Sequence, residues 1–275
     1  MQRKIHFLIW PILCIWGILG VLAGPAMAAE EDFGRAQCAK YLRHMQQIHR
    51  DSFYTDHRDL HEYTSFLGPS FDAAIAALRP HEVWLDSGAG TGVALMEYLK
   101  NYAQGGKVVG TGVVLKDDPG HPWQEMQEQY PQRIYFQAGM MERGPTERWE
   151  IFGKYQLITD VFGPLIYSHR IDRIMRRYGE LLAPGGMLMA TIDINNILII
   201  DRWRVAHRVQ EWILAMQGWE LLEDHLFFQE NDAFFLPIIL RRTYDDLVIP
   251  PLRPLMDNFS VGCPPRRAFL WEGVD

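Results

Sequence analysis

The chain has 275 residues, 48% hydrophobic and 22% charged, which suits one large α/β domain with a well-buried core. Its 27 basic residues against 34 acids give a net charge of −7, so no broad basic surface for nucleic acid is evident and a small-molecule partner is expected. The 3 cysteines form no CxxC or Cys/His spacing, which argues against a zinc site.

Residues 1–28 stand apart from the rest. MQRK is a basic start, residues 5–24 are an uncharged apolar run, and Ala26-Met27-Ala28 has the small-x-small form of a signal-peptidase site. The run is also long enough to span a bilayer, in which case it anchors the chain with the body outside. Both readings export the protein to the periplasm or beyond, with cleavage favoured over anchoring. Cleavage leaves Cys38 and Cys263, near opposite ends, either as a disulfide or as two separate thiols.

Residues 29–78 read as an N-terminal helical extension interrupted at Gly68-Pro69. Within it His57 and His61 are four apart on one helical face, which reads as a solvated face because no third metal ligand is evident. Residues 79–243 then alternate strand and helix. HEVWLD, KVVGTGVVL, RIYFQAG, YQLITDVFG and MLMATI are the expected strands, and VALMEYLKNYAQ, WQEMQEQY and HRIDRIMRRYGELL the helices between them. RWRVAHRVQEWILAMQ reads as one amphipathic helix, and WELLEDHLFF with FFLPIILRRT as a terminal antiparallel strand pair. Residues 244–275, rich in proline, read as an extended tail packed on the domain. The expected fold is a doubly wound α/β domain with a mostly parallel seven-stranded sheet and that terminal pair.

The stretch WLDSGAGTG at 84–92 carries the functional signal. The dinucleotide fingerprint GxGxxG would need glycine at 93 or 95, where the chain has Val93 and Leu95. A P-loop would need a lysine after Gly92, and none follows. The frame Asp86-x-Gly88-x-Gly90-x-Gly92 instead resembles the first motif of class I S-adenosylmethionine-dependent methyltransferases. ELLAPGGMLMATI at 180–192 resembles that family's PGG turn into its fifth strand, and YQLITDVFG its fourth strand.

The resemblance implies S-adenosyl-L-methionine as cofactor, held by Asp86, Gly88, Ala89, Gly90 and Gly92. It places Gly139, Met140 and Met141 at the adenine loop and Asp160 at a strand end facing cofactor and substrate. Tyr167 and His169 follow Asp160 and are expected to line the acceptor pocket as candidate catalytic residues. Alternatively, Asp160 caps the next segment and His169 begins a helix. Tyr54 and Tyr63 would cover the cofactor. Where the family has an acid for the ribose hydroxyls, this chain has Gly112, with Asp117 and Asp118 as substitutes only if the strand runs longer. The function implied is methyl transfer to a small-molecule acceptor; a non-catalytic binding or effector protein on a degenerate version of the fold is the alternative. An aminopropyl transferase of related fold is a further alternative, but its acidic amine-binding motifs are not evident.

Overall fold

The computed structural model describes residues 57–112, 121–139, 141, 145–194, 197–224, 227–228, 234–255 and 267–273. The export segment 1–28, Cys38, Tyr54, Asp117, Asp118, Met140 and Cys263 lie outside the described residues.

The described chain opens with α1 (Leu60–Leu67) and α2 (Pro69–Ala77). Asp59 starts α1 with a capping box, its carboxylate accepting from Glu62 N while the Glu62 carboxylate accepts from Asp59 N. Gly68 ends α1 at φ +78°, and Pro69, which has no amide hydrogen to lose, begins α2. Then follow β1 (Val83–Ser87), α3 (Val93–Asn101), β2 (Lys107–Gly112), α4 (His121–Gln129), β3 (Ile134–Ala138) and β4 (Tyr155–Asp160). A short α5 (Pro164–Tyr167) leads to α6 (Ile171–Leu181) and β5 (Leu182–Asp193). Beyond these come β6 (Ile197–Ile200), β7 (Ala206–His207), α7 (Val209–Leu214), β8 (Trp219–Asp224), β9 (Phe227–Phe228), β10 (Phe234–Arg242), β11 (Leu252–Pro254) and β12 (Arg267–Trp271).

The main sheet runs β3-β2-β1-β4-β5-β10-β8, with β9 added beside β10. Strands β3 through β5 are parallel and β10 is antiparallel to both β5 and β8, as expected from the sequence. Every residue of β1 is buried, as befits a central strand covered on both faces. Val83 and Leu85 join the core shared with α6 and α7, whereas Trp84 joins the core under α1, α2 and α3. Helix α6 buries Ile171, Ile174, Met175, Tyr178 and Leu181 at helical spacing, which leaves Arg173 exposed on its outer side.

Three details differ from the sequence reading. The APGG segment lies within β5, where pairing with β4 jumps from Tyr155↔Leu182 to Leu157↔Met187, so it bulges from the strand. The helix expected over 202–217 is confined to Val209–Leu214. Before it, Asp201 Oδ1 accepts from Trp203 N and Val205 N and folds the chain into a tight turn with Arg204 at φ +66°. That turn joins β6 to β7. Finally, the proline-rich tail contributes β11 and β12 to a second sheet of order β11-β12-β6-β7, in which β12 runs parallel to β6.

Candidate functional site

The strand order places a topological switch between β1 and β4, because the chain leaves β1 toward β2 and leaves β4 toward β5 on the opposite side. Open α/β sheets bind ligands outside the carboxyl ends of such strands. Here the end of β1 is the glycine turn and the end of β4 is Asp160.

The turn requires its glycines. Gly88, Gly90 and Gly92 have φ of +94°, +55° and +77°, where an L side chain is strained. Packing adds to this. A Cβ on Gly88 would lie 2.7 Å from Gly163 Cα, and one on Gly92 would lie 2.7 Å from the Trp123 ring. The amides of Gly88 and Ala89 both donate to Thr111 O, which fastens the turn to β2. Trp123, from the first turn of α4, is buried and donates from Nε1 to Gly90 O at 3.2 Å. Its ring also covers Gly110, whose Cβ would meet it at 2.2 Å.

Asp86 is buried beneath the turn. Tyr63 Oη donates to its Oδ2 at 2.6 Å and Thr159 Oγ1 to its Oδ1 at 2.7 Å, while Trp84 Nε1 donates to Thr159. Burial raises its pKa against the two hydroxyl donors and the nearby Arg58 charge, which favour the carboxylate. Tyr63 reaches Asp86 from α1, but its ring is buried in the core beside Phe71 and Trp84 rather than laid over the turn as a cover.

Asp160 is fully buried, and donors from the protein occupy both its oxygens. Gly163 N donates to Oδ1 at 2.9 Å; Leu165 N and Tyr178 Oη reach Oδ2 at 3.0 and 2.6 Å. The carboxylate therefore holds the first turn of α5. Tyr178 has a single proton, which goes to Asp160, so Ser87, 2.8 Å away, donates to the phenol oxygen. Burial lifts the Asp160 pKa from 3.8 to about 7, because desolvation outweighs these donors.

The other expected residues fall around this centre. Tyr167 ends α5, and His169 is exposed in the turn before α6. Buried Arg267 of β12 reaches across from the second sheet to Leu165 O and Ser168 O, pinning the same loop. Gly112 ends β2 and Gly139 N donates to its carbonyl at 3.0 Å. Among the described residues, a Cβ on Gly112 would meet the Phe136 ring at 3.7 Å, an ordinary contact. Met141 is buried in the core, while Met140 lies outside the described residues. His57 Nδ1 is 3.1 Å from Thr91 Oγ1. A half-open pocket of about 240 Å³ flanks the turn between α3 and α4, lined by Val93, Met96, Met126 and Gln129 together with His57 and Thr91.

The sequence alone does not mark out Arg58, Tyr178 or Arg267 as residues of the site. For Trp123 there is a signal: an isolated glycine inside a strand, Gly110 in KVVGTG, marks a close approach by another group.

No family model and no curated relative matches the sequence. Among solved structures the chain is similar to the N-methyltransferase NodS from Bradyrhizobium japonicum in complex with S-adenosyl-L-homocysteine, at 16% identity over 72% of this chain and 97% of that one, TM-score 0.48. It is similar to the [4+2]-cyclase SpnF at 14% identity over 70% and 85%, TM-score 0.48. An rRNA methylase from Streptococcus thermophilus gives 14% identity over 63% and 94%, TM-score 0.44. The likeness is one of fold. What the site can do follows from its own residues.

Proposed function

We propose that the protein binds S-adenosyl-L-methionine over the glycine turn and directs its methyl group to a small-molecule acceptor. One observation supports this above the rest: three left-handed glycines in the frame Asp86-x-Gly88-x-Gly90-x-Gly92 sit at the carboxyl end of β1, beside the switch point. Such a turn lets a ligand lie directly against backbone. The left-handed glycines suit close approach by the cofactor's amino-acid end, and Gly112 ends β2 where an acid for its ribose would stand.

The bound cofactor supplies an electrophilic methyl group on a sulfonium. The chain's part is alignment, since in-line displacement depends on the placement of the two reacting centres. Gly88, Ala89, Gly90 and Gly92 would hold the cofactor. Asp160 acts as a positioning residue: by capping α5 it fixes Gly163 against Gly88 and sets the loop that ends in Tyr167 and His169. Fully buried, with its oxygens turned to Gly163, Leu165 and Tyr178, it is shielded from an acceptor and is not assigned the role of base. The acceptor that suits this site is one that reacts without losing a proton, or has already lost it. Export by residues 1–28 belongs to the same proposal, and a C-terminal fusion to a reporter active only outside the cytoplasm tests it.

A second reading, a binding protein without turnover, is favoured by Gly112 and by the engaged Asp160. Calorimetric titration with S-adenosyl-L-methionine and S-adenosyl-L-homocysteine tests the site, and Gly90→Arg should abolish binding. Release of S-adenosyl-L-homocysteine when an extract of the source cells is added separates turnover from binding alone.

A further inference from the structure

We infer that Arg58 is a built-in competitor for the amino-acid end of the glycine-turn ligand. The inference rests on the cofactor reading of the same turn.

The segment entering α1 lies on the glycine turn itself. Arg58 Nη2 donates to Gly88 O at 2.8 Å, and the Arg58 carbonyl accepts from Ala94 N, in the first turn of α3, at 3.1 Å. One residue thus places a cation on the first carbonyl of the turn and an oxygen acceptor on the helix that follows it. A free α-amino acid carries the same two functions on one carbon, an ammonium donor and a carboxylate acceptor. The Arg58 charge also stabilises the Asp86 carboxylate, as a ligand ammonium would.

Neighbouring contacts hold the segment in this place. Leu60 N donates to Glu97 Oε2 of α3 at 2.9 Å, His57 meets Thr91 on one side of Arg58, and the Tyr63–Asp86 bond anchors the other. The guanidinium lies 5.9 Å from the centroid of the Phe162 ring, over the loop that follows β4. The segment therefore bridges the two strand ends of the switch point. A ligand with a free amino-acid end enters only as Arg58 leaves, whereas a nucleoside lacking that end does not meet it.

The test compares two probes on the full-length protein and on Arg58→Ala. S-adenosyl-L-homocysteine carries the amino-acid end and 5′-methylthioadenosine does not. Arg58→Ala should bind S-adenosyl-L-homocysteine about tenfold more tightly or better, the size expected when a charge-assisted hydrogen bond no longer opposes binding, with 5′-methylthioadenosine affinity unchanged. Weaker or equal binding of S-adenosyl-L-homocysteine, with 5′-methylthioadenosine still bound, overturns the competitor and leaves the cofactor reading standing. Failure of both ligands to bind either protein at millimolar concentration overturns both. A measurement on the unaltered protein keeps the inference testable if the variant does not fold. Trypsin cleavage after Arg58 should accelerate with saturating S-adenosyl-L-homocysteine; unchanged or slowed cleavage contradicts displacement of the segment.

Discussion

Gly88 and Gly163 meet backbone to backbone across the switch point. A Cβ on Gly163 would lie 2.2 Å from Ser87 O and 2.6 Å from Asp160 Oδ1, and one on Gly88 would lie 2.7 Å from Gly163 Cα. The two loops that frame the site are thus fitted to each other before any ligand arrives.

Gly163→Ala should therefore cost at least the roughly 1–3 kcal/mol typical of overpacking, because the obstructing atoms include backbone that cannot swing aside. Gly112→Ala, which among the described residues makes an ordinary contact with Phe136, should stay within about 0.5 kcal/mol of the parent. Urea unfolding of the two variants measures the contrast.

The Trp123 ring occupies the space that side chains at Gly92 and Gly110 would fill. Gly110→Ala alone should destabilise by about 1–3 kcal/mol. In a Trp123→Leu background the same change should cost much less, since the smaller side chain frees the space. A double-mutant cycle by denaturant unfolding reads the coupling.

Burial of Asp160 gives stability a pH dependence of definite sign. With its pKa lifted from 3.8 to about 7, the folded protein keeps a proton that the unfolded chain releases. The folded state binds more protons between those values, so stability falls as pH rises from about 4 to about 7 and then levels. The loss attributable to this group is on the order of 4 kcal/mol. Asp160→Asn should flatten that slope, and denaturation curves of parent and variant across the window measure the difference. A slope equal in the two proteins would rule Asp160 out as its source.

Gly112 ends β2, and among the described residues a Cβ there makes an ordinary contact with Phe136. Gly112→Asp should add an acceptor for the cofactor's ribose hydroxyls and tighten S-adenosyl-L-homocysteine binding by about tenfold or more, the scale of a hydrogen bond to a charged group. Calorimetry of parent and variant checks this, with Gly112→Asn as the uncharged control.

The parallel strands were legible because each is a short apolar run closed by glycine or an acid, and α6 because its buried positions recur at helical spacing. The second sheet was not, because β6 pairs with β12 from the far end of the chain and nothing local encodes that partnership. The helix expected over 202–217 had suitable periodicity, but Asp201 captures the amides of Trp203 and Val205 and sets a turn instead. At the site, the glycine frame and the acids at the strand ends could be read directly. What those acids bind could not. Tyr63 and Tyr178 lie on helices distant in sequence, and only folding brings their hydroxyls to Asp86 and Asp160.

Calorimetric titration of the full-length protein with S-adenosyl-L-homocysteine tests the central claim most directly. Saturable one-to-one binding, lost in Gly90→Arg and retained in Asp160→Asn, is the predicted result. Absence of heat at millimolar ligand, in the parent and in Arg58→Ala alike, would contradict it.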